Sequence, residues 1–380
     1  MQYRCFPKVP GKEISLLGFG CMRLPVLEGD MRRIDEERAQ PLLRQAIDAG
    51  VNYVDTAYPY HGGHSETFVG RALKDGYRQR VHLATKLPVW LVQAESDWER
   101  LLDQQLERLG TDHIDFYLLH ALSFARWDTI VRLRGLQAME RAKADGRIRH
   151  LGFSFHDALD AFRRIVDGYD WEFCQIQLNY VDRAFQAGLA GMRRAAERGL
   201  GVIAMEPLRG GVLAGRQPAD VQRVWDGQLR RRTPAAWALQ WLWSHREVVT
   251  ALSGMNAPSQ LQENLEAAAT APAAGLDAQE QAAVDQVSAI YSARIRVPCT
   301  TCGYCAPCPN GVAIPEVFSS YNTGAMFGNW QSAARIYADF VRSPGHGGDR
   351  CLRCAECEPK CPQHINIPER LEEAHRALTA

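Results

Sequence analysis

Eight of the 11 cysteines in this 380-residue chain fall after residue 298, in two groups. The first is Cys299, Cys302, Cys305 and Cys308, followed by Pro309; the second is Cys351, Cys354, Cys357 and Cys361, followed by Pro362. Thiolates at every third position wrap one face of an iron–sulfur cluster, and where two such runs each end in Cys-Pro, the terminal cysteine ligates the other run's cluster. The spacing therefore predicts two [4Fe–4S] clusters with crossed ligation. One uses Cys299, Cys302, Cys305 and Cys361; the other uses Cys351, Cys354, Cys357 and Cys308. Zinc needs four thiolates about one ion, and a third-position repeat closing on Cys-Pro is not a zinc-ribbon spacing. The first run has two residues, not three, before its Cys-Pro, a gap that leaves open which cysteine serves which cluster and whether Cys308 is a poor ligand that makes one cluster labile.

A second set of reactive types is spread along the first third of the chain. Asp55, Tyr60, Lys86 and His120 each follow or end a short apolar run. A phenol ionises near pH 10, too high for efficient acid or base work at neutral pH, and a neighbouring ammonium favours the phenolate. The expected division of labour makes Tyr60 the proton donor, Lys86 its electrostatic partner, Asp55 the holder of Lys86, and His120 a hydrogen-bond donor to a carbonyl oxygen. By spacing alone, the same residues read equally well as a structural ion pair flanked by two rim residues.

Such residues must be carried by a scaffold that brings strand ends together. Eight apolar, β-rich runs (LLGFGCM, VNYVDTA, VHLATK, IDFYLLH, HLGFS, FCQIQLN, GVIAMEP and VVTALSG) alternate with amphipathic segments such as DWERLLDQQLERLG, several closed by glycine. Eight β-α alternations predict a TIM (β/α)8 barrel over residues 1–290, with chemistry at the strand ends. An open dinucleotide-binding sheet is disfavoured, because GFGCMR carries only half of a G-x-G-x-x-G. Residues 291–380 read as a small, mostly α-helical ferredoxin-like domain, its two cysteine groups separated by helical stretches. Lys+Arg and Asp+Glu are balanced at 44 each, so nothing suggests nucleic acid or an anionic membrane, and no apolar run is long enough to span one. The N-terminus has no apolar leader, so a cytoplasmic chain is expected, and there disulfides are an unlikely use for the cysteines. Cys5, Cys21 and Cys174 read as buried small hydrophobes or free thiols.

VDTAYPYHGGHSE, followed by ATK and DFYLLH, resembles the signature of the aldo-keto reductases. The resemblance implies a TIM barrel whose Asp-Tyr-Lys-His tetrad reduces carbonyls with a nicotinamide cofactor. It selects Tyr60 over Tyr58, because the family tyrosine lies five residues after the aspartate. It further implies that Ser154 and Gln175 contact the nicotinamide carboxamide, and that Met205 occupies the place where many members stack an aromatic ring. Pro207, Leu208 and Gly210 would line the pyrophosphate path, Gly20 and Met22 would contact the cofactor from the first strand end, and Ser253, Met255, Glu263 and Asn264 would serve the adenosine side. Two departures are visible: methionine replaces the stacking aromatic, and SGMNAPSQLQEN has no Arg or Lys for a 2′-phosphate. NADPH and NADH therefore both stay open, with a flavin as an alternative. A barrel followed by CTTCGYCAPCP and CLRCAECEPKCPQHI is similar to the ferredoxin-type branch of the family.

The leading expectation is an oxidoreductase exchanging hydride with a small carbonyl or alcohol substrate, whose clusters pass electrons to or from a ferredoxin or flavoprotein. A reductase with purely structural clusters is the first alternative. A redox sensor or electron carrier whose barrel binds cofactor without turnover is the second. Trp90, Phe124 and Trp127 are candidates for an aromatic pocket lining; His61, His64 and His156 are assigned no metal.

Overall fold

The computed structural model describes residues 1–299, 305–361 and 363–380. The chain divides into two compact units, one of Met1–Ala214 with Arg232–Asp277, the other of Gly215–Arg231 with Ala278–Ala380.

In the first unit, β1 (Tyr3–Phe6) and β2 (Val9–Ser15) form an antiparallel hairpin. Eight parallel strands follow: β3 (Leu17–Gly20), β4 (Tyr53–Asp55), β5 (His82–Leu87), β6 (Ile114–Leu122), β7 (Ile148–Phe155), β8 (Phe173–Gln177), β9 (Gly201–Met205) and β10 (Val248–Ser253). They close in sequence order, with β10 pairing back onto β3 through Ala251↔Leu17 and Leu252↔Gly18. Every residue of β4, β8 and β10 is buried, as expected of strands covered on both faces, which is why they read as mostly apolar runs with few polar residues. All eight runs expected from the sequence are barrel strands.

Helices lie between them in sequence, and most of them bury one face. They are α1 (Glu36–Asp48), α2 (Ser65–Ala72), α3 (Ser96–Leu109), α4 (Phe124–Arg132), α5 (Gly135–Ala144), α6 (Leu159–Asp167) and α7 (Gly188–Glu197), with α8 (Ala219–Asp226) in the second unit and α9 (Pro234–Trp243) and α10 (Pro258–Ala269) back in the first. In α3, Trp98, Leu101, Leu102, Gln105 and Leu109 recur at helical spacing and are buried, and Gly110 ends the helix in a left-handed conformation that glycine adopts at little cost.

The sequence reading did not anticipate the β1–β2 hairpin. Its apolar residues Phe6, Val9 and Ile14 join Tyr53, Phe116 and Phe173 in one buried cluster, with the Phe6 ring centroid 5.1 Å from Phe116 and 5.6 Å from Phe173. Close approach needs glycine at 201, since a Cβ there would overlap the Phe6 ring.

In the second unit, α11 (Ala278–Ser292) packs against α8. Arg294 donates to both carboxylate oxygens of Asp220 at 2.7 Å, and Tyr291 donates to Gln217 at 2.5 Å. The sequence-based division at residue 290 thus falls inside α11. The helices α12 (Ile314–Phe327), α13 (Trp330–Tyr337) and α14 (Ile367–Thr379) then enclose a core of Val317, Phe318, Tyr321, Tyr337, Leu371 and Leu378. Cys305 belongs to that core, and Cys299, Cys308, Cys351, Cys357 and Cys361 pack against it. Among the described residues no helix is long and apolar enough to cross a membrane.

Candidate active site and cysteine cavity

Strand register assembles the four candidate residues. Asp55 ends β4 and pairs with Ala84, two residues before Lys86 on β5; Lys86 pairs with Leu118, two residues before His120 on β6. Alternation over two residues returns the side chain to the same face, so Lys86 and His120 both face the barrel axis at its C-terminal end. Lys86 is the hub. Its Nζ donates to Asp55 Oδ1 at 2.7 Å, to Asp55 Oδ2 at 2.6 Å and to the Thr56 carbonyl at 2.8 Å, and lies 3.5 Å from the Tyr60 hydroxyl. The ion pair is almost dry, with side-chain exposures of 1% for Lys86 and 3% for Asp55. Tyr60 sits at the start of a short 3-10 turn, half-buried, with His120 edge-on to its ring at 6.3 Å between centroids.

Burial is the largest single influence on the protonation of all four, and in three of them it sets the direction. It pushes the Asp55 carboxyl up, against the pull of Lys86. Burial also opposes the Lys86 ammonium, but the charges of Asp55 and Tyr60 and the hydrogen bonds to both turn its balance upward. The sequence reading expected Lys86 to draw the Tyr60 phenol down. The direction is the reverse, because desolvation and the Asp55 charge outweigh the ammonium. Tyr60 is therefore a neutral phenol at neutral pH, the form a proton donor needs. Burial, then the positive charges of Lys86, His156 and Arg126, drives His120 well below its usual value, so its ring is neutral. Its Nδ1 is buried and has no hydrogen-bond partner among the described residues.

An irregularity in β6 between Leu119 and Leu122 places Ala121 at a positive φ of 52° and turns the strand end. The Ala121 N–H thereby reaches Ser154 Oγ at 2.7 Å. Ser154 pairs with Gln175 across β7 and β8. Gln175 sends its amide nitrogen to Met205 Sδ at 3.6 Å, and its buried Oε1 has no partner among the described residues. A hydroxyl whose own proton is uncommitted, next to a buried amide oxygen lacking a donor, fits the carboxamide of a nicotinamide. Asn264 donates to Ser253 at 2.9 Å, and Met255 is buried beside them. Gly20 lies against the Ser253 backbone, where a Cβ would stand 3.5 Å from the carbonyl oxygen. Pro207 is buried, Leu208 half-buried and Gly210 exposed with φ 69°; Glu263 is half-buried on α10, and Met22 is 54% exposed beyond Cys21. Arg23, unflagged by its sequence position, lies along Gly254 and would approach a Cβ on Gly210 to 3.2 Å.

Of the aromatic candidates only Trp90 joins the site, its ring 5.0 Å from His120. Trp127 packs on Trp171, and Phe124 lies on the surface beneath Arg164. His61 is buried with both ring nitrogens facing backbone carbonyls, of Met31 at 2.8 Å and Cys21 at 3.2 Å, so neither nitrogen is turned toward the site. Cys21 and Cys174 are fully buried thiols pushed far up by desolvation, and Cys5 is exposed.

In the second unit one cavity is lined by Cys305, Cys308, Cys351, Cys354 and Cys357, with Pro307, Leu352 and Leu371. Cys305 and Cys308 of the first cysteine group thus share one space with Cys351, Cys354 and Cys357 of the second. Cys351 and Cys354 lie near enough to Cys357 to join burial in pushing its thiol up to about 11. Among the described residues no three ligating side chains converge on a point suited to a single metal ion. Cys302 and Pro362 lie outside the described residues.

The aldo/keto reductase family profile matches residues 16–289, and a 4Fe-4S dicluster domain profile matches residues 298–365. L-galactose dehydrogenase of Arabidopsis thaliana is 27% identical over 298 residues, covering 73% of this chain and 91% of its own. The NADH-specific methylglyoxal reductase of Escherichia coli (strain K12) is 26% identical, covering 67% and 90%. The holo form of an aldo-keto reductase from Bacillus halodurans superposes with a TM-score of 0.64 at 26% identity, over 75% of this chain and 96% of its own. With the closed barrel and the cysteine-lined helical unit, these matches make the chain an oxidoreductase that belongs to the aldo/keto reductase family and carries a C-terminal 4Fe-4S domain.

Proposed function

We propose that the barrel exchanges a hydride between a nicotinamide dinucleotide and a small carbonyl or alcohol, and that the second unit holds two [4Fe–4S] clusters exchanging single electrons with a ferredoxin or flavoprotein. The observation that carries the first part is the Lys86 ammonium, wrapped by Asp55 and Thr56 and placed beside a neutral Tyr60 hydroxyl. The dinucleotide, when bound, supplies the hydride to the carbonyl carbon. Tyr60 gives its proton to the carbonyl oxygen, and Lys86 stabilises the phenolate left behind. Asp55 keeps Lys86 charged in a dry site. Neutral His120 donates a hydrogen bond to the same oxygen and fixes its position. Alcohol oxidation runs the same transfers backwards, with Tyr60 as phenolate base. Ser154 and Gln175 would hold the carboxamide. The E. coli relative, named for NADH and methylglyoxal, supports a small carbonyl.

The cluster assignment is supported by the meeting of Cys308 with Cys351, Cys354 and Cys357 at one cavity, which Cys305 also lines, and by the cysteine spacing. Cys299, Cys302, Cys305 and Cys361 would hold the other cluster. These ligands suit a reducing, cytoplasmic setting. A structural role for the clusters is the second reading, supported by the packing of the cysteines on the core of the unit.

Tyr60→Phe tests the tetrad: NAD(P)H oxidation with an aldehyde panel should fall by about 10² to 10⁴-fold, and equal rates in variant and wild type remove Tyr60 as the acid. Anaerobic spectra during NAD(P)H titration, with iron and sulfide assays, test the clusters. About eight of each per chain and bleaching on titration support electron transfer; intact clusters that never bleach favour the structural role.

A further inference from the structure

Arg126 is a half-buried guanidinium on the first turn of α4, held by its Nη1 donating to the Ala121 carbonyl and by its placement over the Trp90 ring at 5.2 Å. Ser123 caps this helix and accepts from the Arg126 N–H at 3.3 Å, so the residue's backbone is fixed. Yet Arg126 makes no ion pair among the described residues. The nearest carboxylate charge is Asp157, and it is already engaged, accepting from the Phe124 N–H at 2.8 Å and from the Ala158 N–H at 2.7 Å. Burial accordingly lowers the Arg126 pKa, with Asp157 compensating only in part. A desolvated cation without a counter-ion is costly to the fold unless something else supplies the negative charge.

Its position shows what that could be. Trp90 lies between Arg126 and His120, and His120 adjoins Tyr60, so the guanidinium stands one aromatic ring away from the carbonyl-polarising imidazole. The two contacts in series, 5.2 and 5.0 Å, hold Arg126 within roughly 10 Å of the His120 ring centre, a span that a short chain bridges once hydrogen bonds of about 3 Å at each end are allowed for. His156, at the end of β7, adds a second ring near Arg126 and His120, solvent-accessible although protein surrounds it on most sides, as a cleft wall would be.

Resting on the reductase reading above, we propose that Arg126 binds the carboxylate of a short oxo acid whose carbonyl lies at Tyr60 and His120, so that the substrate class is an acidic aldehyde or ketone, or the matching hydroxy acid. Guanidinium fits the planar carboxylate bidentately, and Trp90 shields the pair from water.

The test compares 4-oxobutanoate with 4-methylpentanal, its neutral counterpart of similar shape, using the full-length protein and NAD(P)H. Wild type should favour the acid by about 10- to 100-fold in kcat/KM. Arg126→Met should abolish that ratio, and Arg126→Lys should keep part of it, because the charge stays and the fork is lost. Calorimetry with succinate gives a readout independent of turnover: wild type should bind it and Arg126→Met should not. Equal use of the two aldehydes by wild type overturns the proposal, as does an unchanged ratio in Arg126→Met. If neither aldehyde is reduced, the hydride reading falls, and the calorimetry alone decides the anion site: succinate heat lost in Arg126→Met upholds it, and no heat in wild type refutes it.

Discussion

Replacing Lys86 by methionine keeps a long side chain and removes the only ion-pair partner that Asp55 has among the described residues; the Asp55 side chain is 3% exposed. Two hydrogen bonds, at 2.6 and 2.7 Å, disappear together. Stranding a buried charge in this way costs about 3–5 kcal/mol. Removing the second charge as well, in Asp55→Asn/Lys86→Met, relieves most of that cost, so the double variant should regain about 2 kcal/mol or more over Lys86→Met. Activity should show no such recovery, because neither variant stabilises the Tyr60 phenolate; both should stay about 10³-fold below wild type. The pH dependence has a definite sign. Burial holds the folded Asp55 carboxyl above its ordinary 3.8, and further above it once Lys86 is gone. The folded state then binds a proton that the unfolded chain has released, so Lys86→Met loses stability as pH rises through that interval. Its deficit against wild type should be smallest near pH 4 to 5, on the order of the unfolded carboxylate value, and largest at pH 8 or so. Urea unfolding followed by tryptophan fluorescence measures the stabilities, and NAD(P)H oxidation the activity. Equal deficits in the single and double variants would refute the buried-pair argument, and turnover in Lys86→Met above about a tenth of wild type would refute the phenolate one.

Cys308→Ser should cost about half of the bound iron while leaving the barrel folded, since one of the two proposed clusters would lose a ligand; full iron retention would contradict the proposed ligation by Cys308. Gly201→Ala should destabilise the barrel by about 1–3 kcal/mol through the clash with Phe6, read as a lower urea midpoint, and an unchanged midpoint would show that the hairpin yields. Acidification should weaken the wild type below pH 6.5, where the unfolded chain takes up a proton that folded His120 refuses. His120→Leu should show a smaller drop in urea midpoint between pH 7 and 5, and identical drops would place the lost stability elsewhere.

The barrel was legible because parallel strands buried on both faces are mostly apolar, as β4, β8 and β10 are apart from a few buried polar residues such as Asp55 and Gln175. The β1–β2 hairpin was not, because VPGKEIS buries only its ends and its middle is exposed glycine and charge, a pattern that turns share. Asp55, Lys86 and His120 were legible as polar residues breaking apolar runs at strand ends. Their protonation was not, since spacing reveals the partner of a charge but not how much water is left around it. Arg126 escaped notice because its place depends on the left-handed Ala121 and on the start of α4, neither of which has a composition signal. Cys308 was legible by spacing, and its approach to Cys351, Cys354 and Cys357 rests on the helical core that a spacing rule does not contain.

The polypeptide passes through the second unit twice, once as Gly215–Arg231 between β9 and β10 and again from Ala278 onward. An appendage with one covalent link can be added or shed by a single cut. This one has three, so a chain stopped at residue 277 would keep α8 while losing α11 and the Arg294 guanidinium that grips the Asp220 carboxylate. Recombination of such barrels with other terminal modules would therefore have to exchange an internal loop and a tail together, and dissection of the protein into separately expressed halves needs the loop rebuilt as well as the tail removed.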